Sequence, residues 1–195
     1  VERLSLVPLT PLAQRLAQMI RSLASELDKS CDSKIDFGEL VVPPATSRVV
    51  GEILLHAVRN ALDHGIEAPD DRVAAGKDAK GVIEIAAYAL GDRLVVTVRD
   101  DGRGVDVERV RSRALERGVL SPGEAETARP AQLLDLLFHP GFSTAKTVTM
   151  VSGRGIGMDV IRSLAEEHGG SVAIASTSGR GTELTIELPL SQTAR

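Results

Sequence analysis

Aromatic residues are almost missing from this 195-residue chain, which has no Trp, one Tyr (Tyr88) and three Phe (Phe37, Phe138 and Phe142). Its core must therefore be aliphatic, and a chain of this length can bury roughly 70% of the surface it exposes when unfolded. Cysteine is just as scarce. With Cys31 alone, an intramolecular disulfide and an all-cysteine metal site are excluded, and a reducing compartment is the natural setting. No apolar run approaches a membrane span, and no signal-peptide pattern opens the chain. Nor is positive charge in excess: a net charge of −4 gives no electrostatic basis for binding nucleic acid or an anionic membrane surface. Any bound phosphate must then be met locally, by backbone amides, a metal ion or a few basic side chains. The first residue is Val rather than Met, which suggests a segment of a longer protein.

The apolar residues that are present follow helical and strand periods. Thr10-Pro11 followed by Leu12, Leu16, Met19, Ile20, Leu23 and Leu27 predicts a helix. Residues 33–42 predict a strand broken by Pro43-Pro44. Thr46 or Ser47 is expected to cap a second helix running to about His64 and ended by Gly65. Residues 82–90 and 94–98 are β-rich runs around Gly91-Asp92, a hairpin signal. A helix is expected over 106–117, stopped by Gly118, then loop over 119–129, then a short helix over 130–138 with four leucines. Residues 139–157 are rich in Gly, Ser and Thr without periodicity, and a loop that long in a compact domain is usually functional. Residues 156–168 read as helix, and 171–175 and 182–188 as strands around Ser178-Gly179-Arg180-Gly181. The sum is an α+β fold with helices covering one face of a sheet.

Three segments carry chemistry. On the second helix His56, Asn60 and His64 recur at i, i+4 and i+8, while Ile53, Leu54, Ala57 and Ala61 can face a core. Such a polar stripe suits a ligand site, although the spacing equally fits a solvated helix face. It does not match the zinc pattern His-Glu-x-x-His, and the amide oxygen of Asn60 suits magnesium better. The second segment, Asp100-Asp101-Gly102-Arg103-Gly104, follows a strand. It can be a plain turn, or Asp100 can accept a hydrogen bond from an exocyclic amine while the glycines let backbone and base approach. The third, Gly153-Arg154-Gly155-Ile156-Gly157-Met158, opens a helix, where backbone amides can converge on phosphate. Its third glycine is one position early for a dinucleotide fingerprint, and the chain has no Gly-x-x-x-x-Gly-Lys-Ser/Thr loop.

These segments occur in order and are followed by Gly179-Arg180-Gly181-Thr182. That succession resembles the Bergerat-type ATP-binding fold shared by gyrase, Hsp90, histidine kinases and MutL. More narrowly, four stretches resemble the chemotaxis histidine kinase CheA family: His56-Ala-Val-Arg-Asn60-Ala-Leu-Asp-His64-Gly-Ile-Glu67, Asp100-Asp-Gly-Arg-Gly104, Phe138-His-Pro-Gly-Phe-Ser-Thr144 and Ser152-Gly-Arg-Gly-Ile-Gly-Met-Asp159. The resemblance spans nearly the whole chain, from Val7-Pro8-Leu9 to Leu188-Pro189-Leu190.

The resemblance implies a two-layer sandwich with a mixed, mostly antiparallel sheet, and residues 11–190 as the ATP-binding domain. Residues 1–10 would end one interdomain linker and 191–195 would begin another. It implies Asn60 as the magnesium ligand, with His56 and His64 lining the metal and phosphate region as further candidate ligands. His56 and Asn60 would be the catalytic pair, with Asp63 beside them in the ATP motif. Asp100 would read the adenine amine, Gly102 and Gly104 would shape the adenine floor, and Thr182 would back it. Arg59, Arg109 and Arg113 would lie near the phosphates. Residues 142–152 would form a lid, with Phe142, Ser143, Thr144 and Ser152 contacting ATP. Many relatives carry Lys directly after the lid's Phe-Ser-Thr; here that position is Ala145, and Lys146 is next to it. Gly153, Arg154, Gly155, Ile156, Gly157 and Met158 would cradle phosphates.

The activity implied is transfer of the ATP γ-phosphoryl group to a histidine on a separate phosphoacceptor domain of the same two-component kinase. A dimerisation domain, a CheW-like adaptor, a chemoreceptor and a response regulator are the implied partners, in the cytoplasm at receptor arrays. Nucleic acid binding and membrane insertion are not expected. Two alternatives stand beside this: an ATP-binding sensor or scaffold without phosphotransfer, and an ATPase of the gyrase, Hsp90 or MutL type. The latter place a Glu general base four residues before the Asn. Here that position is His56, which favours phosphotransfer.

Overall fold

The computed structural model describes residues 6–142 and 157–190. Its centre is a five-stranded sheet in the order β2-β4-β5-β7-β6. Strand β2 (Cys31–Asp36) pairs in parallel with β4 (Gly81–Leu90). Every other pairing is antiparallel: β4 with β5 (Arg93–Asp100), β5 with β7 (Gly181–Pro189), and β7 with β6 (Ser171–Thr177). The two predicted hairpins and the earlier strand are thus present, and the mixed, mostly antiparallel sheet is as expected. Gly91, at φ +60, supplies the positive dihedral of the β4–β5 turn. A separate two-stranded ribbon joins β1 (Val7–Pro8) to β3 (Val41–Val42).

Alternation along the strands decides which face is covered. Ile83, Ile85 and Ala87 of β4, and Leu184, Ile186 and Leu188 of β7, are buried while their neighbours are more exposed. Onto that face pack α1 (Thr10–Glu26) through Leu16, Ile20 and Ala24, and α2 (Pro44–Asn60) through Val50, Ile53, Leu54, Ala57 and Val58. Helix α7 (Met158–Glu167) adds Ile161 and Ala165. The core is almost wholly aliphatic, as the missing aromatics require. A second, smaller cluster joins Val110 and Ala114 of α4 (Val107–Glu116) to Leu133 of α6 (Pro130–Asp135), Leu136 and Phe142.

Three local expectations are corrected. Residues 33–42 are not one strand: β2 ends at Asp36, and only Val41–Val42 form β3. Helix α2 starts at Pro44, not at a Thr46 or Ser47 cap; Pro at the first turn has no N–H needing a partner, and Thr46 is buried inside the helix. The stretch 119–129 is not all loop, because α5 (Pro122–Thr127) forms behind a reciprocal Ser121–Glu124 capping box. The chain also forms α3 (Pro69–Ala74), for which the periodicity gave no signal.

Candidate functional site

A cavity of about 420 Å³ lies where α2, the ends of β5 and β7, α4 and the start of α7 meet. That is within the range of small-molecule sites. Its apolar wall includes Ala57, Val98, Ile174 and Leu184; its polar groups are Asn60, Asp63, His64, Asp100, Arg103, Asp106, Arg109 and Thr182.

Asn60 is the last residue of α2, and its Nδ2 reaches Met158 Sδ at 3.3 Å, joining α2 to the first turn of α7. Beyond it the helix does not continue in the regular winding. Residues Ala61–Gly65 form a π-helical turn, closed by the Ile66 N–H donating to the Ala61 carbonyl at 2.7 Å. The wider turn presents Asp63, His64 and Gly65 on the same wall as Asn60. The sequence stripe is therefore altered. His56, one turn back, is half-buried and is not among the described residues that line the cavity. Burial, and then the charge of Arg59, hold its imidazole below the usual histidine pKa.

Asp100 ends β5, opposite Ile83 of β4 and Thr182 of β7. Only 6% of it is exposed, and the Gly102 N–H donates to its Oδ1 at 2.9 Å. Burial pushes its carboxyl up to about 6, against the pull of backbone hydrogen bonds from Gly102 and Thr182. A carboxylate has about four lone-pair sites, so it can still accept from a ligand amine. The turn after it fits against the π-helical turn. A Cβ on Gly102 would sit 2.2 Å from the Gly65 carbonyl oxygen, and the Arg103 N–H donates to that oxygen at 2.9 Å. Beside Thr182, the Ser176 hydroxyl donates to the Gly181 carbonyl and lies 3.1 Å from the Thr182 hydroxyl.

Of the other anticipated residues, Arg109 and Met158 line the cavity, as does Gly104. Asp106 caps α4 by accepting from the Arg109 N–H at 3.1 Å. Gly157 caps α7. Arg59, Arg113 and Phe142 are not among the described lining residues; Phe142 is buried against Val110 and Leu133 in the smaller cluster. Ser143, Thr144, Lys146, Ser152, Gly153, Arg154, Gly155 and Ile156 lie outside the described residues. Arg103 and Asp106 line the cavity without having been anticipated. Also unanticipated is an ion-pair network of Glu67, Arg72, Lys77 and Asp101 directly behind the Asp100 turn. Nothing in a run of mixed charges distinguishes such residues from a solvated face.

Among the described residues, no cluster of three or more His, Cys, Asp or Glu side chains is placed to hold a metal. The donors on the cavity wall are the Asn60 amide, Asp63 and His64. That set fits an ion such as magnesium, which takes most of its ligands from phosphate and water, and not a closed zinc site.

The family model described as "Histidine kinase-, DNA gyrase B-, and HSP90-like ATPase" matches residues 47–192, about three quarters of the chain. The chain is 40% identical over 185 residues to chemotaxis protein CheA of Bacillus subtilis, covering 95% of this chain and 28% of that protein. It is 40% identical over 190 residues to CheA of Treponema pallidum, covering 97% of this chain and 23% of that protein. The chain thus spans about a quarter of the length of these relatives. Among solved structures, the mycobacterial sensor histidine kinase MprB superposes with a TM-score of 0.58 at 17% identity. That match covers 95% of this chain and 96% of that one, a likeness of fold. Motif order, sheet topology and cavity agree with these matches, and the chain belongs to the histidine kinase-, DNA gyrase B- and HSP90-like ATPase family.

Proposed function

We propose that this chain is the catalytic domain of a CheA-type histidine kinase, binding magnesium-ATP and passing its γ-phosphoryl group to a histidine on a separate phosphoacceptor domain. The observation that carries the reading is that Asn60 and Asp100, forty residues apart in sequence, line one cavity of nucleotide size. Asp100 accepts from the adenine amine, and Gly102 and Gly104 keep the floor low enough for the base. Thr182 backs the same edge. Asn60 would hold the magnesium ion, with Asp63 and His64 on the same wall and His56 a turn behind. The ion, when bound, neutralises charge on the phosphate oxygens. Arg109 supplies a cation at the cavity; Arg59, Arg113 and Lys146 are further candidates for the phosphates, and Gly153, Gly155 and Gly157 for the phosphate cradle.

Phosphoryl transfer asks chiefly for positioning and charge neutralisation, which this set of groups can provide. His56 stands where a hydrolytic relative would carry its water-activating Glu, and the nearest Glu on the helix, Glu52, is exposed and does not line the cavity. By the same reading the remaining partners are a dimerisation domain, a CheW-like adaptor, a chemoreceptor and a response regulator. The setting would be cytoplasmic at receptor arrays, and among the described residues no helix is long and apolar enough to cross a membrane. The test uses γ-labelled ATP mixed with the chain and candidate acceptor domains. Label on an acceptor histidine is expected, and Asn60→Ala should abolish it. Release of free phosphate alone would identify an ATPase, and binding without either product a sensor.

A further inference from the structure

Next to the turn that carries Asp100, and off the cavity lining, lies a cluster of ion pairs centred on the buried Arg72. Arg72 of α3 has a side chain only 1% exposed. Its Nη1 donates to Glu67 Oε2 at 3.1 Å, its Nη2 to Asp101 Oδ2 at 2.8 Å, and its Nε to the Asp78 carbonyl at 2.7 Å. Lys77 Nζ donates to Glu67 Oε1 at 2.8 Å and to the Gly102 carbonyl at 2.7 Å. Asp101 is anchored from the other side, its Oδ1 accepting from the Val82 N–H at 2.9 Å.

The consequence lies in one peptide unit. The carbonyl of Asp101 accepts from Lys77 Nζ at 3.0 Å and from Arg72 Nη1 at 3.3 Å. The N–H on the other end of that same peptide, on Gly102, donates to Asp100 Oδ1 at 2.9 Å. Two cations on the carbonyl polarise the peptide and strengthen its N–H as a donor, because hydrogen bonds in series reinforce one another. They also fix the peptide plane, and with it the direction in which Asp100 faces the cavity.

We propose that Lys77 and Arg72 are positioning residues for the Asp100 carboxylate, acting through the Asp101–Gly102 peptide and never touching the nucleotide. The inference rests on the reading of Asp100 as the adenine-binding group, and it assigns base recognition a support that none of the nucleotide motifs contains. The charged groups around Asp100 also give it a distinct signature. Asp101 and Glu67 both push its carboxyl upward, and Arg72 and Lys77 are the cations paired with them. Loss of one cation leaves that repulsion less compensated.

The experiment is carbon-detected NMR titration of the Asp100 carboxyl, together with calorimetry of ATP and of inorganic tripolyphosphate, on the wild-type chain and on Lys77→Met, Lys77→Gln and Lys77→Arg. In Lys77→Met the Asp100 midpoint should rise by roughly half a unit. ATP affinity at pH 7 should fall about tenfold, the worth of one charge-assisted hydrogen bond, with tripolyphosphate affinity unchanged. Lys77→Gln, which keeps a donor without the charge and serves if the Met variant does not fold, should move both quantities in the same direction by less. Lys77→Arg should return both toward wild type. An unmoved Asp100 midpoint, or equal losses for ATP and tripolyphosphate, would overturn the proposal. Asp100→Asn separates the two levels: undiminished ATP affinity in that variant refutes the adenine assignment, whereas its loss beside an unaffected Lys77→Met refutes the positioning role of Lys77 alone.

Discussion

Two groups of ion pairs, one across the open face of the sheet and one beside the turn after β5, differ in what they do. On the uncovered face, Lys34–Glu84 and Arg93–Glu187 cross between neighbouring strands and Lys80, just before β4, pairs with Asp32 of β2, each side chain about a third or more exposed. Beside the Asp100 turn, Arg72, Glu67, Lys77 and Asp101 form a network whose central guanidinium is sealed from solvent. Solvated pairs gain little, because water and salt screen them and long side chains must be ordered. A buried network is different. It need not add net stability over an apolar replacement, but removing one member strands the others in a low dielectric. What the buried set contributes is fixed geometry, and it is bonded to the turn that carries Asp100 on the cavity wall.

The largest effect should come from breaking the buried set at its centre. Arg72→Met leaves Asp101 without its ion-pair partner and Glu67 with Lys77 alone, and about 3–5 kcal/mol of unfolding free energy should be lost in urea denaturation. A loss no larger than that of a surface variant would erase the distinction between the two groups. Next in size is a pH effect at Asp100. Its folded pKa, about 6, lies above its ordinary value of 3.8, so the proton is held more tightly in the folded state. Its contribution is fully present below pH 3.8 and is lost as the pH rises through 6. Asp100→Asn carries no such titration. Its unfolding free energy should therefore match the wild type near pH 3.8 and exceed it by about 3 kcal/mol above pH 7, even as ATP binding is lost. A constant difference across that range would mean that the carboxylate is not desolvated. The smallest effect should come from the open face. Lys34→Met should leave the urea midpoint where it is, at low and at high salt; a clear, salt-sensitive shift would place that pair with the buried ones.

Much of the fold was readable because its signals are local. The leucine spacing from Leu12 to Leu27, the Gly91 turn and the Gly118 stop each act within a few residues, and α1, the β4–β5 hairpin and α4 formed where those signals stand. The Ser121 capping box is equally local, but the polar composition around it read as loop. Within the site, the cavity gathers Asn60, His64, Asp100, Gly104 and Thr182 from distant segments, each marked by a motif, and Arg109, which the family resemblance pointed to. Arg72 and Lys77 carried no mark. Their meaning comes only from burial and from the carbonyls that α3 and the Asp100 turn bring to them, a long-range product of the packing. The π-helical turn at Ala61–Gly65, which sets His64 beside Asn60, is likewise invisible in the sequence, where regular spacing puts His56, Asn60 and His64 on one stripe; the structure leaves His56, inside the regular part of α2, off the cavity lining.

That turn holds one residue more than a regular helix would need. Its Leu62 and Asp63 carbonyls accept from Nζ of Lys29, just after α1. An excision anywhere in Ala61–Gly65 would let the chain wind into an ordinary, longer helix with better backbone bonding. Such a shortened protein would swing His64 and Gly65 off the wall they share with Asn60 and pull the Gly65 carbonyl from its place against Gly102. For these five residues, the more comfortable backbone and the working pocket are rival outcomes, and length itself is what selects between them.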